Sequence, residues 1–497
     1  MGIVKRQAFY NSIFNYLGQV IGYVNVIVLF PILLSQEEFG LTRMLASMVI
    51  IFAQLSAIGS QRVIIKYYPF FRRADGMGDN GLLPIILFNV TAGFGIVCAF
   101  FWVLKDYFLA TQDSELFHQF YLVIPLLAFL TIMNWVLESY LKALLKTSFT
   151  SFLNNVLLKL LWLSAALCYY YEVLSLEAFV WFYCSVHLVL ILLMSAYLFR
   201  LKEVSFRVDK AYYKWRVLKH LYRYGAYAIL DNTNSALMNN LDKIMIGFLI
   251  LDDLRSVAIY AVAAHLSGIV VIPATSMNRI LTPMISRYWK NKQIDLVAKI
   301  YHQSTVINMV FTGALSVLVW TNIDGVMQLV NKDYASGVYT ILFLMLSRLV
   351  GVSFGLNGDI LLVSKHYWFN TASGVILIVL MVIFNLIFIP IYGFVGAAFG
   401  TLLARIVYNI VRYIFLLVKE GLNPFKVNNL MGLAILVAGL LVGSWIQFDS
   451  LHFLIEIGLK GSLVALVIAI PTYYFKVSED INSLVDDLFR KGKKLLS

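Results

Sequence analysis

The chain has 497 residues, is 61% hydrophobic and only 13% charged, and carries a formal net charge of +12. An ordinary soluble domain carries about twice that share of charge, and a mean hydropathy of +0.81 exceeds anything a water-soluble core requires, so soluble classes are excluded. The same positive balance on a soluble protein would point to nucleic acid; here the cations collect in one class of loops, and no nucleic-acid partner is expected.

A helix crossing the hydrocarbon layer takes about 20 apolar residues. Its backbone groups must be satisfied internally, since lipid offers no partners. Apolar runs of that length are predicted at 11–34, 41–65, 81–104, 119–146, 149–171 and 177–199. After a basic stretch, more follow at 224–250, 256–284, 300–321, 338–363, 367–390, 394–418, 428–446 and 452–475. They are continuous, unlike the short alternating strands of a membrane β-barrel. The predicted fold is therefore all-α integral membrane, with about 14 spans.

Loop charge gives the orientation. With the N-terminus in the cytoplasm, the cytoplasmic loops hold Lys66, Arg72 and Arg73; Lys142 and Lys146; the stretch from Arg200 to Arg223; Arg287, Lys290, Lys292 and Lys299; Lys365, Lys419 and Lys426. The tail adds Lys476, Arg490, Lys491, Lys493 and Lys494. The opposite loops hold Lys105, Arg255 and Lys332 against acids such as Glu37, Glu38, Asp106, Asp252 and Asp253. This is the positive-inside asymmetry, with both termini inside. Lys5 and Arg6 precede the first run with no small-residue cleavage site near its end, so a permanent anchor is expected.

Two stretches read as amphipathic surface helices rather than spans. One, 210–223, carries Trp215, Leu218 and Leu221 among Lys214, Arg216 and Lys219; the other, 478–495, places Ile481, Leu484, Val485 and Leu488 at helical spacing. Both suit the anionic cytoplasmic surface, with a solvated connector as the plain alternative. The expected organisation is a six-helix lobe at 1–200, a basic linker at 201–223, a second six-helix lobe at 224–420, two extra helices at 421–475 and a tail at 476–497. A weak internal repeat supports two pseudo-symmetric lobes. Residues 35–71 and 251–286 each open on an acid pair and run apolar to Gln61–Arg62 or Asn278–Arg279. The preceding helices each carry a polar face: Asn11, Asn15, Gly18, Gly22 and Asn25 in the first, Asp231, Asn234, Ser235, Asn239 and Asp242 in the seventh.

The phrases FPILLSQEEFGLTRMLAS, LDKIMIG, AIYAVA and IPIYGFVGAAFGTLL, in this order and spacing, resemble the polysaccharide-exporter, or oligosaccharide flippase, branch of the multidrug/oligosaccharidyl-lipid/polysaccharide transporter superfamily. The resemblance covers nearly the whole chain. It implies two lobes around a central cavity in the bacterial inner membrane, and the flipping of an undecaprenyl-diphosphate-linked oligosaccharide from the cytoplasmic to the periplasmic leaflet for polysaccharide such as O-antigen. It implies membrane lipids and polysaccharide polymerase machinery as partners, and a functional monomer.

That task needs cations for the diphosphate, because an anion in low dielectric is costly. An ionised side chain at mid-bilayer costs at least about 2.5 kcal/mol and normally faces a cavity. Lys159, Arg348 and Arg405 fall near the midplane, and Arg62, Lys66 and Arg279 near cytoplasmic helix ends. Snorkelling to headgroups competes for the second group and interhelical ion pairs for the first. The acids Glu138, Asp231, Asp242 and Asp359 are candidates for coupling to Na⁺ or H⁺; for Glu138 a pair with Lys142 competes. Asp231 and Asp242 are eleven residues apart and share a helix face, as would Arg348 and Asp359. Gly351 and Gly355 read as a helix-packing pair, and Pro273 and Pro390 as local breaks.

Cys98, Cys168 and Cys184 lie in apolar runs without a CxxC pair, so neither disulfide nor metal site is expected. No HExxH, GxSxG or GxxxxGK[ST] occurs. A membrane enzyme such as a glycan polymerase is thereby disfavoured, no cofactor is expected, and a multidrug or cation antiporter of the same superfamily is the nearer rival.

Overall fold

The structure is a computed structural model that describes residues 2–73, 78–203, 213–250, 254–446 and 452–496. The basic segment 204–212 and the acid pair Asp252–Asp253 lie outside the described residues. Within them every regular element is helical.

The chain forms two compact units, 1–261 and 262–497. The first contains α1 (Gly2–Val24, continuing through a π-helical turn at Asn25–Leu29), α2 (Gln36–Ser56) and α3 (Ser60–Phe71). It continues with α4 (Leu82–Val103), α5 (Val123–Ala143), α6 (Thr147–Tyr170), α7 (Leu176–Arg200) and α8 (Trp215–Leu249). Helix α5 is central, packing on α2, α3 and α7. The boundary falls later than the 201–223 linker because α8, expected from the sequence to begin a second lobe, packs along α2. At 35 residues α8 is about 52 Å long. It takes in Trp215–Arg223 as its first turns, so the second half of the basic linker continues the helix.

Local chemistry sets the ends of α2. Ser35 caps it: its hydroxyl accepts from the Glu38 N–H at 3.3 Å, and the Glu38 carboxylate accepts from the Ser35 N–H at 2.8 Å. Glu37 and Glu38 also oppose the helix dipole. The acid pair is thus a helix start, and Glu37 reaches Arg255 at 2.9 Å. The helix stops where Ile58 and Gly59 take φ of 47° and 66°. A Cβ on Gly59 would lie 2.5 Å from the Gly225 carbonyl of α8, so glycine is required by both conformation and space.

Helix α9 (Leu254–Ile269) joins α10 (Ile272–Lys290) at a 55° bend, with Pro273 in the first turn after it. The second unit continues with α11 (Ile294–Thr321), α12 (Val338–Ser353), α13 (Asn357–Val363), α14 (Tyr367–Glu420), α15 (Val427–Trp445), α16 (Phe453–Tyr474) and α17 (Glu479–Leu496). A straight 54-residue helix would be about 80 Å long, far more than a bilayer. Helix α14 folds back at Gly393 (φ 59°, ψ −142°), just past Pro390. The Phe388 and Phe399 rings then meet at 5.0 Å. Helices α15 and α16 pack on α11, with Gly432, Gly439 and Gly443 allowing close approach to Met309, Ile468 and Val464.

By length and apolarity 11 helices among the described residues can cross a membrane, or 12 with α9–α10 taken as one broken span. Fourteen is reached only by separating the limbs of α14 and adding the polar helix α8. The tail helix departs from a purely interfacial reading. Its Ile481 is 9% exposed and joins Val306, Ile435 and Val477 in the core of the second unit, with Val485 against it.

Candidate functional site

In the first unit the polar face of α1 is a seam against α6. Asn11 pairs with Ser151; Asn155 donates to Asn15 Oδ1 at 2.8 Å; Lys159 Nζ donates to the Gly18 carbonyl at 2.5 Å; Asn25 donates to the Lys159 carbonyl at 2.9 Å. Residues 151, 155 and 159 step by four, which keeps them on one face. Gly22 is small because Lys159 Nζ would lie 2.6 Å from its Cβ. In lipid such interhelical bonds replace the hydrophobic drive. Lys159 is therefore bonded inside the first unit, where the sequence offered a cavity cation.

A second cluster joins α3 to α8. Arg62 is ion-paired with Asp231, with side chains 46% and 38% exposed. Beside it Asn232 donates to Gln61 at 3.3 Å, Lys66 Nζ lies 3.7 Å from the Tyr224 ring centroid, and Tyr67 Oη donates to the His220 carbonyl at 3.3 Å. Ser235 and Asn239 continue the exposed face of α8 by bonding to the carbonyls of Asp231 and Ser235, four residues back.

Asp242 lies at the other end of α8. It is 7% exposed and accepts from Tyr260. Eleven residues place it about 16 Å along the axis from Asp231. The shared face exists, but each carboxylate has its own partner, and the two do not form one site. Near Asp242, Lys243 donates to Asn240 at 2.9 Å, and Arg43 lies 5.1 Å from the Phe39 ring centroid and donates to Tyr183 at 3.4 Å. The sequence search missed Arg43 and Lys243. Their signal was a charge on each of two helices that meet only in the fold. Glu138 pairs with Lys142 at 2.8 Å, the i,i+4 alternative.

In the second unit Arg348 of α12 donates to Ser267 Oγ and the Ala264 carbonyl, each at 3.3 Å. Arg405, on the second limb of α14, places Nη1 3.6 Å from the position of a Cβ on Gly351. Gly351 is three residues past Arg348, on the same face. The fold thus packs Arg405 against the helix that carries Arg348, one turn along from it. Arg279 is exposed on α10.

Arg348 and Asp359 do not share a helix face, contrary to the eleven-residue spacing. The helix breaks between Ser353 and Asn357, where Gly355 takes φ 62°. Gly355 is therefore a break residue as well as a packing one: a Cβ on it would lie 2.3 Å from Thr305 Oγ1 on α11. Asp359 accepts from Thr282 of α10 at 3.0 Å. Arg412, also missed in the sequence, is 6% exposed. It bonds Asn370, reaches Asn357 Oδ1 at 3.5 Å and covers the Tyr408 ring at 4.6 Å. It holds the ends of α13 and α14 together.

The chain superposes on a solved structure of the lipid II flippase MurJ in an inward closed conformation with TM-score 0.72 and 14% identity, covering 94% of this chain and 99% of that one. An inward-facing multidrug resistance MATE family transporter gives TM-score 0.60 at 15% identity over 82% and 93%. A mutant form of the Vibrio cholerae MATE transporter VcmN gives 0.53 at 14% over 85% and 99%. At these identities the likeness shows the fold, a multi-pass helical architecture. No curated protein matches significantly by sequence. The profile of the polysaccharide biosynthesis proteins matches residues 4–289, more than half of the chain. The chain is a member of the polysaccharide biosynthesis protein family, built on the fold that MurJ and the MATE transporters share.

Proposed function

We propose that this chain is a flippase that moves an undecaprenyl-diphosphate-linked oligosaccharide from the cytoplasmic to the periplasmic leaflet of a bacterial inner membrane, by alternating access, for surface polysaccharide synthesis. The family and the flippase-type fold support the class of activity. The observation that carries the substrate is the packing of Arg405 against α12, one turn from Arg348 on that helix. Two cationic side chains on packed membrane helices disfavour one another in low dielectric and favour an anion nearby. Arginine matches the oxygens of a diphosphate bidentately.

Ion coupling falls to Asp231 among the four acids. Glu138 is neutralised by Lys142, Asp242 is buried on Tyr260, and Asp359 is held by Thr282. Asp231 is more than a third exposed, so an ion from solution can reach it beside Arg62. A second reading, a cation antiporter, draws on the same carboxylate and on the likeness to MATE transporters.

The test is flipping of a fluorescent undecaprenyl-diphosphate oligosaccharide in reconstituted vesicles. The wild type flips it, and Arg348→Gln or Arg405→Gln reduces the rate about tenfold or more, the cost of one charged hydrogen bond to the anion. Uptake of cationic dyes without flipping of the lipid would establish the antiporter instead.

A further inference from the structure

A cavity of about 620 Å³ opens in the second unit, with neither Arg348 nor Arg405 in its lining. One wall is a stripe along α11: Asp295, Lys299, His302, Gln303 and Val306, at spacings that keep them on one face. The other wall is the connector from α14 to α15, with Asn423 and Lys426, the first turn of α15 with Asn428, and the turn Val477–Glu479 that opens α17. Two bonds fix these walls. His302 Nδ1 donates to the Pro424 carbonyl at 2.6 Å, and Asn428 donates to the Val477 carbonyl at 3.0 Å. The cavity is therefore built into the unit. Behind it, Val306, Val477 and Ile481 belong to one core cluster.

The charges are two of each sign: Lys299 and Lys426 against Asp295 and Glu479. None of the four forms an ion pair among the described residues. Each acid stands in the first turn of its helix, favoured there by the helix dipole. The lysines are left to a phosphate, and the acids to an ammonium. The apolar floor of Val306 and Val477 beneath a charged rim fits an amphiphile. Arg287 and Lys290 in the last turn of α10, and Lys292 in the turn after it, precede α11 immediately, which favours a rim at headgroup level on the basic face.

We propose that this cavity holds the phosphoethanolamine headgroup of a membrane phospholipid, the phosphodiester on Lys299 and Lys426 and the ammonium on Asp295 and Glu479. The bound lipid ties α17 to α11 and the connector. The proposal is independent of what the protein transports.

The experiment uses the full chain, delipidated in detergent and then given phosphatidylethanolamine, phosphatidylglycerol or phosphatidylcholine, with retained lipid counted by native mass spectrometry. The wild type retains phosphatidylethanolamine about tenfold over the other two, and the double change Lys299→Gln with Lys426→Gln loses that retention. Asp295→Asn with Glu479→Gln keeps phospholipid but no longer prefers ethanolamine. Equal or better retention of phosphatidylglycerol by the wild type overturns the proposal, as does retention indifferent to the lysines. Soluble phosphoethanolamine is the control for a free ligand: if it displaces the lipid at equal concentration, the site is not a lipid site. A diazirine phosphatidylethanolamine that labels peptides around His302 in the unmutated chain supports the proposal without any variant. Labelling confined to other peptides overturns it.

Discussion

Arg62 and Asp231 are ion-paired across α3 and α8, two helices that also meet through Gln61 and Asn232. Both partners of the pair are more than a third exposed, so it contributes only about 0.2–1 kcal/mol. That is small for folding but shifts a conformational equilibrium several-fold. A disulfide between Gln61→Cys and Asn232→Cys reports this contact. Arg62→Asp or Asp231→Arg should slow its formation, and the exchanged pair should restore it. An exchange that restores nothing would show that the two charges act separately.

If Asp231 couples transport to an ion, Asp231→Asn should leave flipping insensitive to an imposed Na⁺ or proton gradient, while the wild type responds. Asp242→Asn, at a buried carboxylate bonded to Tyr260, should instead lower thermal stability with the gradient response intact. The same gradient response in Asp231→Asn and wild type rules Asp231 out.

The α1–α6 seam predicts a stability effect without a substrate effect. Gly18→Val pushes a side chain into the Asn155 backbone and should cost about 1–3 kcal/mol through overpacking. Lys159→Met removes the bond to the Gly18 carbonyl and should cost about 1 kcal/mol, the measure of one membrane hydrogen bond. Melting in detergent tests both. A Lys159→Met protein that melts normally yet fails to flip would make Lys159 a cavity cation after all.

Gly393→Ala places a Cβ on a backbone at φ 59° and ψ −142°, outside the regions L-residues populate. The expected cost is about 1–3 kcal/mol, read as a lower melting temperature. Gly95→Ala, with open space around it, is the control and should lie within about 0.5 kcal/mol of wild type.

Sequence showed where the chain is apolar and which loops are basic, because both are local sums over neighbouring residues. It showed the polar faces of α1 and α8, because helical periodicity is local too. It could not show that α1's face is spent on α6, since Asn15 and Asn155 are 140 residues apart. It wrongly put Arg348 and Asp359 on one helix face, because one positive-φ glycine, Gly355, breaks a helix that composition alone would continue.

The sequence by itself determined that this is a many-span helical membrane protein with cations on its transmembrane helices, because hydropathy and charge are written residue by residue. Only the tertiary structure decided which of those charges meet. Arg62 reaches Asp231, Arg405 comes to rest beside the helix of Arg348, and Arg412 reaches Asn370. The physical reason is that a charge in low dielectric is defined by its partner, and the partner is chosen by helix packing between segments distant in the chain.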